Sequence, residues 1–73
     1  MQIKVRPIGI IRRYIVGQDI EIEEGLTPEQ LIDLLKIPQK LKMVAYVNGK
    51  RRGLKEELVD GDEVKLATLL GGG

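Results

Sequence analysis

The 73-residue sequence has no cysteine, no histidine, no tryptophan and no phenylalanine, and only two tyrosines. Without cysteine there is no disulfide framework, and without cysteine or histidine an ordinary zinc site cannot be assembled. Aromatic residues make up 3% of the chain against 42% hydrophobic residues in all, so the core has to be built from Ile, Leu and Val. A core of that kind, at this length, rarely gives more than about 3 to 5 kcal/mol of net stability. Charge of one sign is also missing: twelve basic residues stand against eleven acidic ones, a net charge of +1. That balance argues against nucleic acid or an anionic membrane as a partner. No apolar run approaches the roughly 20 residues of a membrane span, and the N-terminus lacks the apolar segment of a signal peptide. The expectation is a soluble, cytoplasmic, single-domain protein that is monomeric alone.

What is present is periodic. Ile3 and Val5 alternate with Gln2, Lys4 and Arg6, the signature of a half-buried strand over Gln2 to Ile8, limited by Pro7. Between Gly9 and Gly17, residues Ile10, Ile11, Tyr14 and Ile15 fall at helical spacings, which suits a short helical turn or a structured loop. Gln18 to Glu23 alternates again, with Ile20 and Ile22 inward, and should pair antiparallel with the first strand. Thr27-Pro28-Glu29-Gln30 fits a capping box with proline at the first helical position and an acid at the positive end of the dipole. The helix it opens runs about two and a half turns, with Leu31, Leu34 and Leu35 as its apolar stripe, and Ile37 is turned out of it by Pro38. Met43 to Val47 is apolar on both faces, as an interior strand would be, and Asn48-Gly49 is a hairpin signal returning through Lys50 to Arg52. Leu54 and Leu58 read as one helical turn pinned to the core, Asp60-Gly61-Asp62 as a turn, and Glu63 to Leu69 as the last strand, with Val64 and Leu66 inward. A helix this short covers one face of a sheet. The expected architecture is an α+β roll, a mixed sheet of four to five strands with one main helix on one face. Its first and last strands lie side by side and parallel.

Three glycines follow, Gly71, Gly72 and Gly73. Lacking Cβ atoms, they can thread a passage too narrow for other residues, and fully stretched they reach about 10 Å. The alternative is a frayed terminus of no function. Residues 1–70 are read as the folded domain and 71–73 as a flexible tail. Leu69 and Leu70 adjoin that tail; one of them faces outward if the strand alternates, which offers either an apolar docking patch or simple core packing. Arg51 and Arg52, with Lys50, either steer an acidic partner or form a solvated hairpin. Asp60 and Asp62 are too few ligands for a calcium site and are read as turn residues.

These pieces taken in order, IKVR, IEIEEGLTPEQLIDLL, VAYVNGK, LVDGDEVKL and the terminal GGG, resemble the ThiS/MoaD family of sulfur carriers over essentially the whole chain. The resemblance implies a ubiquitin-like β-grasp fold. It implies that the Gly73 carboxylate is adenylated by an E1-like enzyme using ATP and converted to a thiocarboxylate that donates sulfur. The implied partners are that enzyme and a sulfur-accepting synthase, either a thiazole synthase or the large subunit of a molybdopterin synthase. The chain would bind no cofactor or metal and need no catalytic residues of its own, in keeping with its lack of His, Cys and Ser. Thr68-Leu69-Leu70 stands where MoaD-type chains carry prolines, whereas the long Gly9 to Gly17 segment is MoaD-like and the GGG ending ThiS-like. Thiamin and molybdopterin pathways therefore both stay open. So does a ubiquitin-like modifier conjugated to lysines through the same terminus.

Overall fold

The computed structural model describes residues 1–69, which form a five-stranded sheet with one α-helix against it. Strand β1 spans Gln2–Pro7, β2 Gln18–Glu21, β3 Met43–Val47, β4 Lys50–Arg52 and β5 Glu63–Thr68; the helix α1 spans Pro28–Leu34. The sheet order is β2-β1-β5-β3-β4. β1 pairs antiparallel with β2 and parallel with β5, the latter in the register Lys4↔Glu63 to Pro7↔Leu66. β3 is antiparallel to both β5 and β4. The first and last strands thus lie side by side as the crossover through α1 requires. Their inward residues Ile3, Val5, Val64 and Leu66 are fully buried, each contributing about 1.5 to 3 kcal/mol of transfer free energy.

The helix begins as its sequence directs. Thr27 Oγ1 accepts the Gln30 amide at 3.3 Å, and Gln30 Oε1 accepts the Thr27 amide at 3.0 Å. The Glu29 amide, another group without an intrahelical partner, donates to the Leu54 carbonyl at 3.0 Å. The far end differs from expectation, because α1 is 7 residues long rather than two and a half turns. The Ile37 amide reaches back to the Ile32 carbonyl and the Lys36 amide to that of Asp33, a Schellman closure. It holds Lys36 at φ 59°, in the left-handed region.

The apolar stripe is also corrected. Leu34 is 57% exposed, while Pro28, Leu31 and Ile32 are buried and Leu35 half-buried. Counting from Pro28, these fall at i, i+3, i+4 and i+7, one face of the helix. Leu34 lies two residues beyond Ile32, about 200° around the axis, and therefore points away.

Between β1 and β2, Gly9–Arg13 forms a 3-10 turn. Of the four apolar residues there, Ile11 and Ile15 enter the core, but Ile10 and Tyr14 are about half exposed. The helical turn expected at Leu54 to Leu58 is instead a single tight turn over Leu54 and Lys55, closed by the Glu56 amide on the Gly53 carbonyl at 3.2 Å, that does not continue as a helix. Its backbone groups are committed elsewhere: the Gly53 amide donates to the Glu56 carboxylate, and the Leu58 amide to the Leu26 carbonyl. Leu58 is nonetheless buried and Leu54 partly so. No helix among the described residues is long and apolar enough to cross a membrane.

Lys36 carries a testable strain. A Cβ atom in the left-handed region is unfavourable, and glycine is the residue that closes helices there. Lys36→Gly is expected to raise stability by about 0.5 to 1 kcal/mol even after the extra freedom glycine gives the unfolded chain. A denaturation midpoint that stays put or falls would show that the position is unstrained.

Candidate functional site

The site is built around the end of β5. Alternation along that strand sends Val64 and Leu66 into the core and leaves Lys65, Ala67 and Leu69 on the opposite, outer face of the sheet. Leu69 continues the ladder one residue past the strand, donating its amide to the Lys42 carbonyl at 2.8 Å. Its side chain is 49% exposed. The sequence allowed either docking or core packing for Leu69, and it stands outside the core. Leu70, Gly71, Gly72 and Gly73 lie outside the described residues.

Beside β5 on the outer face, Tyr46 of β3 stands opposite Lys65, and Val44 opposite Ala67. Ile8, just past β1, is 37% exposed, and its amide donates to the Leu66 carbonyl at 2.9 Å. Ile8, Tyr46, Lys65 and Ala67 line a shallow depression there, closed at one end by Gly49. That depression, with Leu69 beyond it, makes a half-apolar strip along the strand that leads to the tail. Sequence reading missed Ile8, Tyr46 and Ala67 as members of it. The signal was the shared parity of Lys65, Ala67 and Leu69, but MVAYV is apolar on both faces and gives no polarity from which to tell outer from inner.

The two arginines part company. Arg51 lies opposite Tyr46 in the register and is exposed, so it belongs to the outer face. Arg52 lies opposite the buried Ala45, and its Nε stands 3.8 Å from Glu56 Oε2. Only Arg51 therefore borders the strip.

Gly49 has its place because the hairpin needs it. Asn48 and Gly49 both have positive φ, 53° and 87°, the type I′ geometry that matches the twist of the strands. The Asn48 side chain ties this turn to the next one. Its Nδ2 donates to Asp62 Oδ1 at 2.8 Å and its Oδ1 accepts the Glu63 amide at 2.9 Å. Asp62 is 4% exposed, and its Oδ2 accepts the Val59 amide at 2.8 Å. Asp60 Oδ1 accepts the Gln2 amide at 2.7 Å. Both carboxylates are thus committed to turn geometry. One residue before Gln2, the Met1 amino group lies 3.0 Å from Glu21 Oε2. The hydrogen bond to Glu21 raises its pKa above the ordinary α-amino value.

The model of the ThiS family matches residues 9–73. No curated protein matches the sequence. Among solved structures, the chain is similar to SAMP1 from Haloferax volcanii, with a TM-score of 0.77 at 15% identity over 100% of both chains. It is similar to Urm1 from Trypanosoma brucei, with a TM-score of 0.71 at 20% identity, over 99% of this chain and 95% of that one. A third likeness is to a chain in the complex of subunits 1 and 2 of molybdopterin-converting factor from Helicobacter pylori, with a TM-score of 0.66 at 23% identity over 100% of both chains. These likenesses show the ubiquitin-like β-grasp fold.

Proposed function

The chain belongs to the ThiS family, and on that premise we propose that it is a sulfur carrier activated at the carboxylate of Gly73 for cofactor biosynthesis. The observation that carries this reading is the family match, which runs through all three glycines to residue 73. An E1-like enzyme supplies ATP. A carboxylate oxygen attacks the α-phosphorus, pyrophosphate leaves, and the acid becomes an acyl adenylate. Hydrosulfide from the sulfur source then attacks the acyl carbon. The carbon–oxygen bond to AMP breaks, AMP leaves with the electron pair, and a thiocarboxylate remains. Activation is needed because a bare carboxylate has no adequate leaving group. The thiocarboxylate, ionised at neutral pH, passes its sulfur to an acceptor synthase, a thiazole synthase or a molybdopterin synthase large subunit, in the cytoplasm where ATP is at hand.

No step asks for a side chain of this protein. Its contribution is position. Leu69 is hydrogen-bonded to Lys42 and half exposed, so the body is held in register as far as Leu69. The strip of Ile8, Tyr46, Ala67 and Leu69, with Arg51 at its border, is the surface on which we place the activating enzyme. The complex of subunits 1 and 2 of molybdopterin-converting factor supports a synthase as the kind of acceptor.

A second reading has its own support, the likeness to small archaeal modifier protein 1. In it the adenylated glycine is attacked by a lysine amine of a target protein, and AMP leaves as an isopeptide bond forms. Incubation with the cognate activating enzyme, ATP and a sulfur source separates the two by intact mass. The carrier gains the mass of one oxygen exchanged for sulfur. Higher-mass lysine adducts in cell extract, with no such exchange, would overturn it in favour of the modifier.

A further inference from the structure

The strip beside β5 leaves another surface unaccounted for, on the opposite side of the sheet. β2 is an edge strand. Its residues Gln18 and Ile20 stand opposite Val5 and Ile3, and Ile22 exchanges both backbone bonds with Met1. In an antiparallel ladder such exchanging pairs recur at every second residue. The N–H and C=O groups of Asp19 and Glu21 therefore point away from β1, out of the free edge. Directly beneath that edge, between β2 and α1, Ile22, Leu26 and Leu34 line an apolar groove rimmed by Glu21 and Glu23. Leu34, the residue turned out of the core stripe, is its 57% exposed wall.

From these features we propose that the β2 edge and its groove form a docking site for an extended, basic segment of a partner protein, added as a sixth strand. Charge names the occupant. Between Gln18 and Glu24 the chain carries Asp19, Glu21, Glu23 and Glu24 and no basic residue. Asp19 lies 3.3 Å from Arg6 and Glu21 3.0 Å from the Met1 amine. Glu23 and Glu24 have no ion-pair partner among the described residues. A strand alternating lysine or arginine with branched apolar residues meets both requirements, since successive side chains fall on opposite faces. Its cations lie over Asp19 and Glu21, and its apolar side chains drop toward Leu34 and Leu26.

A second copy of this chain fits less well. Two β2 strands paired antiparallel about Ile20 would set Asp19 against Glu21 of the other copy, twice over, and like charges directly opposite repel. The basic edge β4 is Lys50-Arg51-Arg52 and offers nothing apolar to fill the groove. The groove and the β5 strip lie on opposite faces, so the segment can be held while the tail is engaged elsewhere.

The probe is a blocked octapeptide of alternating lysine and valine, with a block peptide of four lysines followed by four valines as control. Amide NMR on the full chain reads the contact. Binding of the alternating peptide is expected to shift Asp19, Glu21, Leu26 and Leu34 and to slow hydrogen exchange at the Asp19 and Glu21 amides. Leu34→Gln, at an exposed position that leaves the core intact, is expected to weaken it roughly tenfold. Equal binding of both peptides, shifts confined to the Lys65 and Ala67 face, or concentration-dependent dimerisation protecting Asp19 and Glu21 without peptide would each overturn the proposal.

Discussion

A chain lacking Gly72 and Gly73 is expected to melt where the full chain does and yet to yield no thiocarboxylate when given activating enzyme, ATP and a sulfur source, and no lysine adduct in cell extract. The two halves of this result have separate causes. The backbone pairing described for the body runs through Leu69, whose amide is held by Lys42, and the shortened chain keeps all of it. Removing two residues draws the terminal carboxylate back by about 7 Å. A misplacement of only about 1 Å at a reacting centre costs about 100-fold, so adenylation should fall by at least that factor. The check is pyrophosphate release under saturating ATP, alongside a thermal melt. Full-rate pyrophosphate release from the shortened chain would sink the assignment of Gly73. A lowered melting temperature would mean that the glycines belong to the body.

The largest loss of stability is expected at a residue remote from that chemistry. Asp62→Ala should cost about 3 kcal/mol, because it strands two donors, Asn48 Nδ2 and the Val59 amide, that now share one buried carboxylate and an unpaired donor costs about 1 to 3 kcal/mol. A domain of this size has only about 3 to 5 kcal/mol in hand. The melting temperature should fall by roughly 12 to 24 °C, at about 4 to 8 °C per kcal/mol. Asp60→Ala is the comparison. Its carboxylate accepts one exposed amide, that of Gln2, and its loss should cost about 1 kcal/mol. If the two variants melt together, the buried carboxylate is no cross-link.

That contrast shows where the sequence is readable. Thr27 and Gln30 bond across three residues, and Asn48-Gly49 closes on itself, so short-range grammar suffices for both. The neighbouring ends of β1 and β5 follow from the handedness of a crossover. The link from Asn48 to Asp62 spans fourteen positions, and no local pattern announces it; DGD reads as a turn whether or not one of its acids is buried. Leu34 was misassigned for a different reason. Leu31, Leu34 and Leu35 make a plausible stripe on their own, and the true one becomes visible only when the count begins at Pro28 and admits Ile32. The helix thus hid its exposed leucine among buried ones. At the site, the glycines and Leu69 could be marked from sequence, but Ile8, Tyr46 and Ala67 join them only through strand register.

The central position of β5 has a mechanical meaning as well. An enzyme that grips the residues beyond Leu69 and pulls does so along the strand axis. The bonds to β3 run perpendicular to that axis and those to β1 slant across it, one ladder on each flank. Such a load is shared by both ladders at once in shear, whereas an edge strand would peel away one bond after another. The domain can therefore be tugged by its end without unravelling, as a handle should be.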